Sequence, residues 1–274
     1  MTKSISPIWS PHLLAGRTAL VTGGGTGIGF GIATCLARAG ADVVIAARRT
    51  EILEGAAVAL RRDTGARIDT ALVNIRDLDS VKALADTHGD IDILVNNAGG
   101  HFAQKARDFS PNGWRTVIDL NLHGTWNMTQ AFGNRMLDGD GGTICHVLMT
   151  IGGGIPGLGH SAAARAGVME LTRTLSYEWG PKVRLNAIAP GQVRTQGWDE
   201  TYEEGVGEGL GDQPLPILGT PDDMGNAVVF LVSPASRYIT GQLLYVDGGL
   251  INNGLMSALP DGSYPERGLP PLDL

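Results

Sequence analysis

The sequence predicts a single α/β domain, a doubly wound sheet of seven parallel strands with helices on both faces. Three observations predict it. Short apolar runs alternate with longer amphipathic stretches, the pattern of repeated βαβ units. A glycine cluster lies between the first apolar run and the first amphipathic stretch. At 274 residues, 43% hydrophobic and 18% charged, the chain is large enough to bury one substantial core and too apolar to be disordered.

Taken in order, the strands are expected at Thr18–Thr22, Asp42–Ala47, Arg67–Val73, Ile91–Asn96, Thr143–Leu148, Arg184–Ala189 and Gln242–Val246. Each is a brief β-branched or aliphatic run bounded by polar or glycine residues. Helical spacing of apolar residues marks Ile28–Ala39, Ile52–Asp63, Trp114–Met136, Ala162–Trp179 and Pro221–Val232. No repeat or linker divides residues 1–274. Two segments depart from the pattern: 196–218, Gly-rich and acidic, and 251–274, a Pro/Gly-rich tail. The first is expected to be a lid over a site, because long loops in compact domains are often functional.

A formal net charge of -7 and no Lys/Arg stripe argue against a nucleic-acid surface. No apolar run reaches membrane-spanning length and the N-terminus has no signal-peptide core, so a cytoplasmic protein is expected. Cys35 and Cys145 sit in apolar segments and are read as core residues, not a disulfide. No zinc-ligand spacing joins the six histidines, and no metal is expected.

Thr22-Gly-Gly-Gly-Thr-Gly-Ile-Gly29 carries the first chemical signal. Gly23, Gly27 and Gly29 allow a tight turn, close approach to a pyrophosphate and tight helix–sheet packing. With Gly25, Thr26 and Ile28 they form a cradle at a helix N-terminus, whose free N–H groups and dipole suit phosphate. This defines a Rossmann fold with a dinucleotide site. The second strand ends Ala46-Ala-Arg-Arg49, with no acid to take a ribose 2′-hydroxyl. Arg48 and Arg49 instead suit the 2′-phosphate of NADP(H).

Together with that cradle, Asn96-Asn-Ala-Gly99, Asn121 in Asn-Leu-His-Gly, Pro190-Gly191 and Val246-Asp-Gly-Gly249 run in order over about residues 14–250. The chain resembles the short-chain dehydrogenase/reductase family. His160–Val168 (HSAAARAGV), the Asn-Asn-Ala-Gly-Gly-His-Phe stretch and Asn74-Ile-Arg76 look most like the family's peroxisomal trans-2-enoyl-CoA reductases and their bacterial relatives. Dienoyl-CoA reductases are more distantly similar. The resemblance implies that Asn97, Ala98 and Gly99 border the cofactor along with Asn74 and Ile75. It implies that Asn121 holds a water network behind the active site. It places Pro190, Gly191, Val193 and Thr195 along the nicotinamide. It also implies a small-molecule substrate and a homo-oligomer, a tetramer or dimer.

One departure stands out. The family pattern expects Tyr four residues before Lys, and this chain has Ser161 and Arg165. A serine hydroxyl is far less acidic than a phenol lowered by a lysine, and an arginine stays protonated. Ser161 is thus a hydrogen-bond donor, and Arg165 a fixed charge able to reach the cofactor ribose. Thr150 aligns with the family's catalytic serine. Such a set suits reduction of a conjugated C=C, where charge develops on a carbonyl oxygen and water protonates the α-carbon. The alternatives are structural hydroxyls, with Ser161 as N-cap of a helix from Ala162; ketone or imine reduction, with Tyr202 or water as proton source; and NADP binding without turnover. His160 is read as a loop or pocket-wall residue and not as a base, and His101 as a residue that lines the substrate pocket. Against a CoA thioester stands the absence of Lys and Arg between Arg194 and Arg237, where eight acidic residues lie.

Overall fold

In the computed structural model, which describes residues 8–151, 154–195 and 214–252, seven parallel strands lie in the order β3-β2-β1-β4-β5-β6-β7. They are β1 (Thr18–Thr22), β2 (Asp42–Ala47), β3 (Ile68–Leu72), β4 (Ile93–Asn96), β5 (Gly142–Val147), β6 (Val183–Pro190) and β7 (Leu243–Val246). All seven strands expected from the apolar runs form, with ends shifted by no more than two residues. The helices are α1 (Gly27–Arg38), α2 (Thr50–Thr64), α3 (Leu78–Thr87), α4 (Pro111–Ile118), α5 (Gly124–Asp138), α6 (Gly159–Glu178) and α7 (Pro221–Val232).

Strand alternation divides the core. Ala19 and Val21 of β1, and Ile93 and Val95 of β4, pack against α1, α2 and α7. Leu20 and Leu94 face the other way, into a cluster built with α3, α5 and α6. Hence the helices cover both faces, and the sheet reads as near-continuous apolar runs. Both cysteines are free and buried, and burial pushes both thiols up to about 12.

Local chemistry sets the helix ends. Asp77 accepts from the amides of Asp79 and Ser80 at the start of α3, a helix the apolar spacing did not single out. Thr220 and Asp223 form a capping box on α7, with Pro221 at its first position. Arg184 of β6 donates from Nη1 to the carbonyls of Leu231, Ser236 and Ile239, tying the C-terminal end of α7 to the sheet.

Two expectations change. The helix predicted over Trp114–Met136 is interrupted by a π-helical turn, Asp119–His123, between α4 and α5. And α6 begins at Gly159, with Leu158 in the capping position, not at Ala162. Ser161 is therefore inside the first turn and does not cap the helix. Of the proposed lid, 196–213 lies outside the described residues, as does the tail from 253. Among the described residues no helix is long and apolar enough to cross a membrane.

Candidate active site

The strand order reverses between β1 and β4, and the carboxyl ends of those strands open a crevice where such folds take a ligand. Its walls are stitched by Thr22. The Thr22 hydroxyl accepts from the amides of Asn97 and Ala98, both at 3.0 Å, while Asn97 Nδ2 donates to the Thr22 carbonyl at 2.9 Å. Gly23 turns with φ +67°, and an added Cβ on Gly29 would collide with the Gly23 carbonyl oxygen. Only glycine permits this approach of loop to helix. The cradle therefore fits a dinucleotide pyrophosphate at the N-terminus of α1.

The resulting cleft has a volume of about 380 Å³. The whole predicted cradle lines it: Gly23, Gly25, Thr26, Gly27, Ile28 and Gly29. Arg48 and Arg49 stand at the β2 end, Asn74 and Ile75 beyond β3, and Asn97, Ala98 and Gly99 beyond β4. Thr195 closes the far side. Ile52, Val73 and Leu120 also line the cleft, and no sequence signal marked them. They are apolar residues whose role is fixed only by the packing of neighbouring elements.

Other predicted residues lie apart from that wall. Pro190 accepts, through its carbonyl, from both the amide and the hydroxyl of Thr150, at 3.0 and 3.1 Å. Gly191 packs against Asp247. The Val193 side chain is buried in the core, and its backbone bridges in parallel to Gly219. The amide of Arg194 donates to the Gly219 carbonyl, and the Gly219 amide to that of Gln192.

The catalytic candidates divide into two groups. Asn121 is fully buried in the π turn; its Oδ1 accepts from the Gly100 amide at 3.1 Å and its Nδ2 donates to the carbonyls of Gly100 and Val117. Arg165 is 7% exposed, and an added Cβ on Gly99 would strike its Nη2 and come to 2.6 Å from Asn121 Oδ1. Asn121 and Arg165 thus meet against one cleft-lining glycine. Arg165 has no hydrogen-bond or ion-pair partner among the described residues, and burial alone lowers its pKa to about 10. It stays a cation at neutral pH.

Ser161, one helical turn before Arg165, is buried, and among the described residues its hydroxyl donates only to the Met149 sulfur, at 3.4 Å. Thr150 turns elsewhere, to the Pro190 carbonyl and to Asp247 Oδ2 at 3.3 Å. Asp247 is a buried carboxylate that also accepts from the amides of Gly249 and Ile251. The sequence offered it only as part of the Val-Asp-Gly-Gly motif.

His160 is fully buried in α6, not in a loop. Its Nδ1 accepts from the Ser161 amide at 2.8 Å, and its Nε2 has no hydrogen-bond partner among the described residues. Phe102, Phe109 and Trp114 surround the ring, at centroid distances of 4.7, 4.4 and 6.5 Å. His101 has its pKa lowered, by partial burial first and then by Arg165 and His160. Deeper, His146 is lowered to about 3 by burial and by Arg165.

This is the architecture of a dinucleotide-dependent oxidoreductase, with a cofactor cradle at the N-terminus of α1 and a buried cation packed against the cleft-lining Gly99. A family model described as enoyl-(acyl carrier protein) reductase matches residues 23–251, and the chain belongs to the short-chain dehydrogenase/reductase family. The chain is 38% identical over 252 residues to a peroxisomal 2,4-dienoyl-CoA reductase of Danio rerio, covering 88% of this chain and 84% of that protein. It is 39% identical over 245 residues to a 3-oxoacyl-[acyl-carrier-protein] reductase of Chlamydia muridarum, covering 87% and 98%. A solved Beutenbergia cavernae structure, provisionally described as an NAD(P)-dependent gluconate 5-dehydrogenase with NADP bound at low occupancy, superimposes with TM-score 0.82 at 36% identity. That match covers 89% of this chain and all of the other.

Proposed function

We propose that the protein is an NADPH-dependent reductase of an activated carbon–carbon double bond, in an enoyl thioester or a smaller enone. NADP(H) is the cofactor. Arg48 and Arg49 at the end of β2, with no acid beside them, support that choice, and the glycine cradle would hold the pyrophosphate. When bound, NADPH supplies a hydride, here to the β-carbon.

The observation that carries the reading is Arg165, a buried cation with no counter-ion among the described residues, packed against the cleft-lining Gly99. Negative charge that develops on the substrate's carbonyl oxygen would meet this charge and the Ser161 hydroxyl, both preorganised on one face of α6. Neither group is an effective acid at neutral pH, so water protonates the α-carbon. Reduction of a ketone would need an acid at the alkoxide itself, and the Thr150 hydroxyl is already committed to Pro190 and Asp247. Asn121 holds the Gly100 backbone, and through it the cleft rim, in place. We further infer a cytoplasmic homo-oligomer, a tetramer or dimer, with 196–218 as the substrate lid.

NADPH oxidation measured with conjugated enones, enoyl thioesters, ketones and imines tests the reading. Turnover of the conjugated substrates is expected, and Ser161→Ala should lower it by about 10²–10³. Turnover confined to ketones, the class that the 3-oxoacyl reductase likeness raises, would overturn it.

A further inference from the structure

We propose that Met149 is a modification site: its thioether takes an oxygen atom from a hydroperoxide, and the resulting sulfoxide captures the Ser161 hydroxyl. The capture stands on geometry, whereas its effect on turnover rests on the reading of Ser161 as a donor in a reductase site.

The sulfur atoms of the described residues single out one. Met128, Met136, Met169 and Met224 are at most 3% exposed, and Met149 is half-buried. Cys35 and Cys145 are buried, and burial pushes both thiols up to about 12, so neither offers a reactive thiolate. A thioether has no proton to lose and reacts as it stands. A small oxidant therefore meets Met149 before the other sulfurs of the described residues.

The same sulfur lies beside a group the reaction would use. It is 3.4 Å from Ser161 Oγ and is the one acceptor of that buried hydroxyl among the described residues. A thioether accepts weakly, so the hydroxyl stays available to a ligand. A sulfoxide is polar, and its oxygen accepts strongly. The backbone gives Met149 little room to turn away. The amides of Leu148 and Thr150 on either side donate to the carbonyls of Ile188 and Pro190, and Tyr245 Oη donates to that of Ile151 at 2.8 Å. The new oxygen must be housed beside Ser161.

The step balances with hydrogen peroxide as the oxidant. A sulfur lone pair attacks one peroxide oxygen, so that the S–O bond forms as the O–O bond breaks. The proton on the transferred oxygen passes to the leaving hydroxide, which departs as water. Sulfur gives up an electron pair and the peroxide is reduced. Methionine sulfoxide reductases reverse the change.

Peptide mapping of the full chain after brief exposure to hydrogen peroxide tests the proposal, with NADPH oxidation on a conjugated enone measured once the peroxide is removed. Among the described methionines, Met149 should take up oxygen first. Turnover should fall at least about tenfold, toward the loss that removing such a donor brings, and should return after treatment with sulfoxide reductases. Met149→Leu, close in volume, should show the same turnover before and after exposure. Thermal unfolding adds a readout that needs no substrate. Oxidation should lower Tm further in Ser161→Ala than in the parent, because the sulfoxide there has lost its donor. Uptake at the buried methionines as fast as at Met149, or equal Tm losses in parent and Ser161→Ala, would overturn the proposal. Should Met149→Leu fail to fold, the mapping and the Tm comparison decide without it. Full turnover after oxidation of Met149, with the Tm difference present, would remove Ser161 from the reaction and leave the modification site standing. No turnover of any conjugated substrate would remove the reductase reading, and the mapping and Tm comparison would still decide the proposal.

Discussion

At the end of β5, His146 is 1% exposed, its Nδ1 accepting from Asn96 Nδ2 at 3.2 Å, with a pKa held down to about 3. Released into the unfolded chain it would titrate near about 6.5. Between those values the unfolded state carries a proton that the folded state refuses. The contribution is therefore fully present above about pH 6.5 and is lost as the pH falls toward 3, by up to about 1.4 kcal/mol per unit. His146→Leu should flatten that acid slope in urea unfolding at pH 7 and pH 5. Asn96 Nδ2 keeps its bond to Thr129 Oγ1 but loses the acceptor of its second hydrogen, so the variant should be less stable at both pH values and the slope alone is diagnostic. Identical slopes in parent and variant would show that other groups govern acid sensitivity. At the same scale, Arg48→Ala should weaken NADPH binding more than tenfold and leave NADH binding nearly unchanged, since a lost charge-assisted contact is worth about 1.5–3 kcal/mol. Fluorescence titration with both cofactors checks it.

Among the elements, the turn between β1 and α1 sets the tightest limit. Gly29→Ala must displace the Gly23 backbone and the Asn97 amide, which cannot yield as a flexible side chain would. A loss of about 1–3 kcal/mol in stability is expected, by the usual cost of overpacking, with NADP+ affinity falling in parallel. Thermal unfolding with and without NADP+ measures both. This turn and the strands were legible in the sequence, because glycine spacing and apolar runs are local signals. The break in the Trp114–Met136 helix was not. Asn121 sits in a π turn whose side chain reaches Gly100, a contact 21 residues distant in sequence, and no local propensity announces it. The start of α6 was misplaced for a similar reason. His160 accepts from the Ser161 amide inside the first turn, so the hydroxyl expected to cap the helix is not needed there. Thr150 was legible as a position, whereas its bonds to Pro190 and Asp247 depend on β6 and β7 lying side by side.

For the whole molecule, the amphipathic stretches Trp114–Met136 and Ala162–Trp179 leave large apolar side chains such as Trp114 and Tyr177 on the surface, Tyr177 at 91% exposure. Symmetric pairing of these faces would cover them, and closed symmetry is the common outcome for such surfaces. Light scattering at micromolar concentration should return a dimer or tetramer mass. A monomer mass would reject the assembly while leaving the cofactor cleft intact, since that cleft is lined within one chain. The bridge between Val193 and Gly219 bears on a different property of the molecule, its capacity to change. That bridge, with the amide bonds of Arg194 and Gly219, joins the two ends of the intervening stretch on the protein body, and α7 starts immediately afterwards under its own cap. The stretch is thus spliced in like a cassette between two anchored ends. A change in its length or side chains acts at these joints and leaves the sheet and the glycine cradle as they are. With that stretch as the proposed substrate lid, one scaffold could in this way take up new substrates while its cofactor chemistry stays the same.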